Sequence, residues 1–337
     1  MNPNLLGRLL ASYEERIRHL EQLISAEHDA PGYKHPYFGV VNLAIPAVTT
    51  TVSGNFPIDP SGPFTLVALA CFWRQTSQAK WRPISHVIEP DDASPEVNAL
   101  SFEWELEIMG TNYKMQEGGV PSSSLFSNID RPHYLPVPIT IKGNSGFKVQ
   151  VTPIATPVAA GTLYFVFIGY KTYDRSSAAP AIESIPAAKL PYIAVMDVDA
   201  PNSTANQTQR YDNGQDGPFV VTAISAAFRA TDQSTVSGFR PVSSIMDNKT
   251  ASPAVNAPEF LWRIRTTGND LFWSNDMLPS PLLFSNQERP LYLPVPAIIG
   301  AGSALIFEMN PIVAPTGGAG TIHICLHGYV PLIGGAL

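Results

Sequence analysis

The chain has 337 residues, 45% of them hydrophobic and only 15% charged, with a formal net charge of -7. This is enough apolar material for more than one core, and a thin acidic charge with no Lys/Arg run excludes the concentrated basic footprint of a nucleic-acid surface. No stretch is long and apolar enough to span a bilayer, and the opening Leu5 to Ala11 runs straight into Glu14, Glu15, Arg16 and Arg18, which does not fit a signal peptide.

The first predicted element is a helix within residues 1–32. Leu6, Leu10, Tyr13, Ile17, Leu20 and Ile24 recur at alternating steps of four and three, an apolar heptad seam along one side. Asn2 or Asn4 is suited to cap its start, and Asp29-Ala30-Pro31-Gly32 stops it. Such a seam must be covered, either by the chain's own domain or by another subunit, so these six residues are candidate interface residues.

Beyond the helix the hydrophobic period changes from helical to two. Phe102-Glu103-Trp104-Glu105-Leu106-Glu107-Ile108 alternates as a strand with one buried and one wet face, and Phe260-Leu261-Trp262-Arg263-Ile264-Arg265 alternates in the same phase. Phe64 to Arg74 and Phe219 to Arg229 are apolar on both faces and suit central or twice-covered strands. The 32 prolines and 24 glycines punctuate these runs as in antiparallel sandwiches, not as in alternating strand-helix units.

Most of this is said twice. Leu125-Phe126-Ser127-Asn128 through Tyr134-Leu135-Pro136-Val137-Pro138 returns as Leu283-Phe284-Ser285-Asn286 through Tyr292-Leu293-Pro294-Val295-Pro296, and Gly169-Tyr170 returns as Gly328-Tyr329. A repeat of about 157 residues is a duplicated domain, far too long for a solenoid unit. The predicted fold is mainly β: the N-terminal α-helix (1–32), a first antiparallel β-sandwich of jelly-roll type (33–173), a Ser/Ala/Pro-rich linker (174–190) and a second such sandwich (191–337).

Candidate chemistry is sparse. His323-x-Cys325-x-His327 puts three metal-ligating residue types on one face of a strand, but the first copy has Tyr164, Val166 and Ile168 there, so a buried apolar face with hydrogen-bonded histidines is expected instead of a metal site. Asp197-x-Asp199-x-x-Asn202 lacks the glycine and bidentate glutamate of a calcium loop, and Asp130-Arg131-Pro132 reads as a turn. Cys71 and Cys325 occupy non-equivalent positions and read as core fillers. No nucleophile elbow, phosphate loop or dinucleotide fingerprint is present, so neither an enzyme nor a cofactor is expected.

Two surface patterns remain. Glu103, Glu105 and Glu107 on one strand face correspond to Leu261, Arg263 and Arg265 in the other copy, either drift on a solvated surface or opposite charges that meet between repeats or subunits. Tyr113, Phe272 and Trp273 are expected as exposed aromatics, and Phe272-Trp273 beside Asn269, Asp270, Asn275 and Asp276 is the patch best suited to a sugar.

The segment from Trp262 to Arg265, with Leu282-Leu283-Phe284, Arg289 to Pro296 and His327-Gly328-Tyr329, resembles bacteriophage virion structural proteins, and the first copy carries the same pattern through Phe126, Arg131-Pro132, Tyr134 to Pro138 and Gly169-Tyr170. Two jelly rolls after a helix also resemble double jelly-roll capsid proteins. The resemblance implies a non-enzymatic virion component, in a capsid, decoration, collar or connector role, that assembles in the host cytoplasm. Its partners would be itself, as a homo-oligomer, and other virion proteins. The alternative is a carbohydrate- or receptor-binding β-sandwich.

Overall fold

The computed structural model describes residues 33–76, 81–82, 84, 100–111, 113–122, 132–157, 159–173, 189–201, 203–215, 217–230, 259–267, 271–283, 290–313 and 319–331. The predicted helix with its seam from Leu6 to Ile24, the Asp130-Arg131 turn, Asn202, Asn269, Asp270 and the linker up to residue 188 lie outside the described residues.

Four antiparallel sheets account for nearly all of what is described, two in each copy. In the first copy, β1 (Tyr33–Ile45), β3 (Phe64–Gln75), β4 (Trp81–Arg82), β8 (His133–Ile141) and β10 (Gly161–Tyr173) form one sheet, in the order β1-β10-β3 with β4 and β8 both paired to β3. Facing it, β2 (Val52–Pro57), β5 (Phe102–Ile108), β6 (Tyr113–Lys114), β7 (Val120–Pro121) and β9 (Gly146–Pro153) run β2-β9-β5, with β6 and β7 on β5. The second copy repeats this. Its first sheet is β11-β19-β13-β17, built from β11 (Lys189–Ala200), β13 (Phe219–Ala230), β17 (Leu291–Ile299) and β19 (Gly320–Pro331). Its second is β12-β18-β14, built from β12 (Gln207–Asp212), β14 (Glu259–Thr266) and β18 (Ala304–Val313), with β15 (Leu271–Phe272) and β16 (Leu278–Pro279) on β14.

Alternation decides which way each strand faces. In β5, Phe102, Trp104 and Leu106 are buried while Glu103, Glu105 and Glu107 look outward, and β14 buries Phe260, Trp262 and Ile264 in the same phase. The first core is aromatic: Phe167 sits 5.3 Å from Phe56 and 5.2 Å from Phe147, centroid to centroid, within the 4.5–7 Å range that favours ring packing. In the second, Trp262 stacks on Phe307 at 5.9 Å.

The matched glycines have a steric origin. A Cβ at Gly169 would overlap the Thr65 carbonyl oxygen on the adjacent strand, and one at Gly328 would overlap that of Val220, so both strands approach closer than any side chain permits. Both copies also break register at the same place, between Leu66 and Ala68 on β3 and between Val221 and Ala223 on β13. A shared bulge bends equivalent strands alike.

Strand β3 is buried along almost its whole length on both faces, as its sequence suggests, whereas β13 leaves Thr222, Ser225 and Ala227 half-exposed on its outer face. Phe38, Val40, Tyr164, Val166 and Ile168, on the outer face of the first copy's sheet, belong to one continuous apolar cluster with Trp273, Leu291 and Leu293 of the second copy. The first sandwich is therefore covered by the second, and the second has no such cover among the described residues.

Candidate functional site

Specific side-chain contacts gather at the seam between the sandwiches, which is assembled from β14 outward. After β14 the chain reverses into β15, with Thr266 opposite Leu271, and the Trp273 N–H donates to the Ile264 carbonyl at 2.9 Å. Alternation then turns Phe272 outward and Trp273 inward. Trp273 is 0% exposed, and its indole Nε1–H donates to Thr266 Oγ1 at 3.1 Å. This corrects the expectation that Trp273 is an exposed aromatic: it is a core anchor, and Phe272 alone of the pair reaches solvent, with the Arg263 guanidinium 4.4 Å above its ring. Tyr113 is exposed as expected.

From that anchor, residues 273–276 run along the edge of β1. The Phe38 N–H donates to the Trp273 carbonyl at 2.7 Å, and the Asn275 N–H donates back to the Phe38 carbonyl at 3.4 Å. The Asn275 carboxamide continues the ladder: its Oδ1 accepts from the Val40 N–H at 2.7 Å and its Nδ2 donates to the Val40 carbonyl at 3.1 Å. Asn42 Nδ2 then donates to Asp276 Oδ2 at 2.8 Å. A strand edge that would otherwise present bare donors and acceptors is closed by the other sandwich. Above it, β17 lies against β1 and β10 and covers the apolar face.

At the end of the seam sits a buried polar group. His35 is buried, with its ring 5.8 Å from that of Trp273 in an edge-on arrangement and its Nδ1 3.3 Å from the Tyr33 hydroxyl. Burial and the adjacent Lys171 push its pKa down to about 3, so it is neutral at pH 7. Lys171, directly opposite on β10, is buried as well; it pairs with Asp59 and holds its ammonium 4.2 Å from the centroid of the Tyr37 ring. Burial pushes the Asp59 carboxyl up, but hydrogen bonds from Lys171 and Ser61 outweigh it and hold the group below the usual carboxylate range.

The opposite charges on β5 and β14 find their partners within their own sheets. Glu105 pairs with Lys114 at 2.6 Å and Glu107 approaches Lys148 at 3.9 Å, while Glu308 takes Arg263 at 2.6 Å and Arg265 at 3.6 Å. Each face finds opposite charge inside its own copy, but at different cross-strand positions. Glu105 stands opposite Gln150 where Arg263 stands opposite Glu308, and Glu107 stands opposite Lys148 where Arg265 stands opposite Ile306. Glu103 is exposed.

His323, Cys325 and His327 do share the outer face of β19, but the face is half-exposed, not the buried apolar surface expected. His323 Nδ1 is 2.6 Å from Asp197 Oδ1, and His327 Nε2 is 2.7 Å from Ser225 Oγ. Burial lowers the His327 pKa and raises that of the Cys325 thiol, which favours the neutral form of each. Among the described residues no group of three or more His, Cys, Asp or Glu side chains is placed to hold a metal ion, and both cysteines are free thiols.

Sequence reasoning missed the clamp made by Val40, Asn42, Asn275 and Asp276. Its signal lies in where the copies differ, not in where they agree: Asn275 corresponds to Glu117, and Phe38 to Ile193. No family model matches the chain, and no curated protein matches it in sequence. Among solved structures, the chain is similar to one from Sulfolobus Turreted Icosahedral Virus (12% identity, TM-score 0.23, covering 90% of this chain and 91% of that one). It is also similar to recombinant peptide:N-glycanase F (10% identity, TM-score 0.20, covering 87% of this chain and 97% of that one) and to a peptide-N(4)-(N-acetyl-β-D-glucosaminyl) asparagine amidase (11% identity, TM-score 0.20, covering 87% and 98%).

Proposed function

We propose that this chain is a non-enzymatic structural component of a bacteriophage virion, in a capsid, decoration, collar or connector role, and that its activity is self-association. The strand orders β1-β10-β3-β8 and β2-β9-β5-β6 in the first copy, repeated as β11-β19-β13-β17 and β12-β18-β14-β15 in the second, support a jelly roll. The resemblance of the Trp262 to Arg265 and Arg289 to Pro296 segments to virion proteins points the same way. One observation carries the reading: Phe38 and Val40 are buried on the outer sheet face of the first sandwich, whereas their counterparts Ile193 and Val195 on the second are exposed, with the exposed Tyr292 on the same sheet. Large apolar side chains gathered on one sheet and its edge mark an interaction surface.

The test is the mass of the purified full-length chain by light scattering across a dilution series. A discrete multimer or a shell-sized particle is expected. A monomer at every concentration removes the reading. The burial of Trp273 takes away half of the aromatic platform on which the sugar-binding alternative stood.

A further inference from the structure

Each sandwich owns two surfaces that matter at the seam. The giving surface is the segment following the β14-type strand together with the β17-type strand; the receiving surface is the outer sheet face and open edge of the first strand. Within the chain, the second sandwich gives and the first receives. Among the described residues one giving surface and one receiving surface are left over.

Register identifies the unused receiving surface. Val40 stands opposite Val166 on β10 as Val195 stands opposite Cys325 on β19, so Phe38 and Val40 correspond to Ile193 and Val195. Phe38 and Val40 are 0% and 4% exposed, whereas Ile193 and Val195 are 58% and 52% exposed. Among the described residues strand β11 ends its sheet, and by the alternation of an antiparallel ladder the backbone groups of Ile193 and Val195 point to that edge, as those of Phe38 and Val40 point to residues 273–275.

The unused giving surface is laid out like the used one. The Met115 N–H donates to the Leu106 carbonyl at 2.9 Å, as that of Trp273 does to Ile264, and the Phe102 N–H meets Ser122 Oγ as that of Phe260 meets Ser280 Oγ. Residues 115–118 thus occupy the place of 273–276. Strand β8 is the counterpart of β17, which packs on β1 and β10, and the two strands differ in burial: Val295 is buried, and its counterpart Val137 is 72% exposed.

We propose that a second copy of this chain docks its 115–118 segment and β8 onto β11 and the outer face of β19, repeating between chains the packing that joins the sandwiches within one. This rests on the self-association reading above and names its two surfaces. The clamp is weaker than the internal one. Glu117 replaces Asn275, so its carboxylate would accept from the Val195 N–H but has nothing to donate to the carbonyl, and Asp197, at the place of Asn42, is engaged with His323. Apolar burial of Val137, Ile193 and Val195 supplies the rest. Because the two surfaces differ, the contact is head-to-tail and either closes as a ring or runs on as a filament.

Sedimentation of the full-length chain tests this with Val195→Lys on the receiving surface and Val137→Lys on the giving one, both exposed positions where a lysine is expected to leave the melting curve in place. Ile193→Lys and Pro136→Lys substitute for either if it melts early. Each variant alone should associate about tenfold or more weakly, as expected when a contact anchor is lost. A mixture of the two variants should form a one-to-one pair and stop there, since only one intact interface remains. Glu117→Asn should tighten association by restoring the missing donor. If Val195→Lys weakens association and Val137→Lys does not, if mixing yields no pair, or if Glu117→Asn gives no gain, the proposed pairing is wrong. Unchanged multimers in all variants would overturn this surface assignment and leave self-association standing, whereas a monomeric wild-type chain would overturn both.

Discussion

Asn275 lays its carboxamide along Val40 so that one side chain meets both backbone groups of a strand in the other sandwich, accepting at 2.7 Å and donating at 3.1 Å. A side-chain amide has the same donor and acceptor pair as a peptide unit, so it extends a ladder that the backbone of residues 273–275 begins. Truncation to Ala leaves two strand-edge groups at the seam without their protein partner. Asn275→Ala should lower stability by about 1–3 kcal/mol in urea denaturation, and Asn275→Asp, which sets a carboxylate oxygen against the Val40 carbonyl, should cost at least as much. A loss under about 0.5 kcal/mol would show that water replaces the clamp without penalty.

Phe272 and Trp273 are neighbours in sequence with opposite fates. Trp273→Ala should cost about 3–5 kcal/mol, the usual range for removing a large buried aromatic, while Phe272→Ala should stay within about 1 kcal/mol because only a half-exposed ring and its contact with Arg263 are lost. Thermal or urea unfolding of the two variants separates core anchor from surface aromatic. Equal losses would contradict the inward placement of the indole.

His35 gives the seam a pH dependence of known sign. Its pKa is about 3 in the folded chain, against about 6.5 when unfolded, so between these values the unfolded chain binds the extra proton. The stabilisation is complete above about pH 6.5 and falls as pH drops toward 3, by at most about 1.4 kcal/mol per unit from this group. The Asp59 carboxyl, held low by Lys171 and Ser61, adds a loss of the same sign at lower pH. His35→Gln, which cannot charge, should flatten the dependence of the urea midpoint between pH 7.5 and pH 5; an undiminished slope would place the titration elsewhere.

Glu308 lies between Arg263 and Arg265 and defines what the reversed charges are for. Arg263→Glu should destabilise the chain by about 0.5–1 kcal/mol, and adding Glu308→Lys should recover part of that loss, since it re-forms a pair at 263 but sets a lysine beside Arg265. Recovery by a Lys at Glu103 or Glu105 instead would show that the two faces meet between subunits.

Much of the fold was legible because it is written locally. Phe102 to Ile108 and Phe260 to Arg265 alternate with the period of a pleated strand, and a strand with one wet face can satisfy that pattern only one way. Gly169 and Gly328 recur because neighbouring backbones come too close for a Cβ, a constraint both copies inherit. The charge partners were not legible: Glu107 and Lys148, or Arg263 and Glu308, become neighbours only once cross-strand register is set. Nor was the burial of Trp273, which depends on the phase in which the chain leaves β15, and its Asn and Asp neighbours imitate an exposed loop.

Period and duplication state that there are two sandwiches and which residues of each strand share a face. They do not state what lies against a face. Phe38 and Ile193 are both apolar residues on the outer side of a first strand, and only the docking of β17 and residues 273–276 makes one of them core and leaves the other at the surface. Which copy of a repeated surface becomes interior is a choice between long-range contacts, and those contacts exist only when the two halves of the chain have folded against each other.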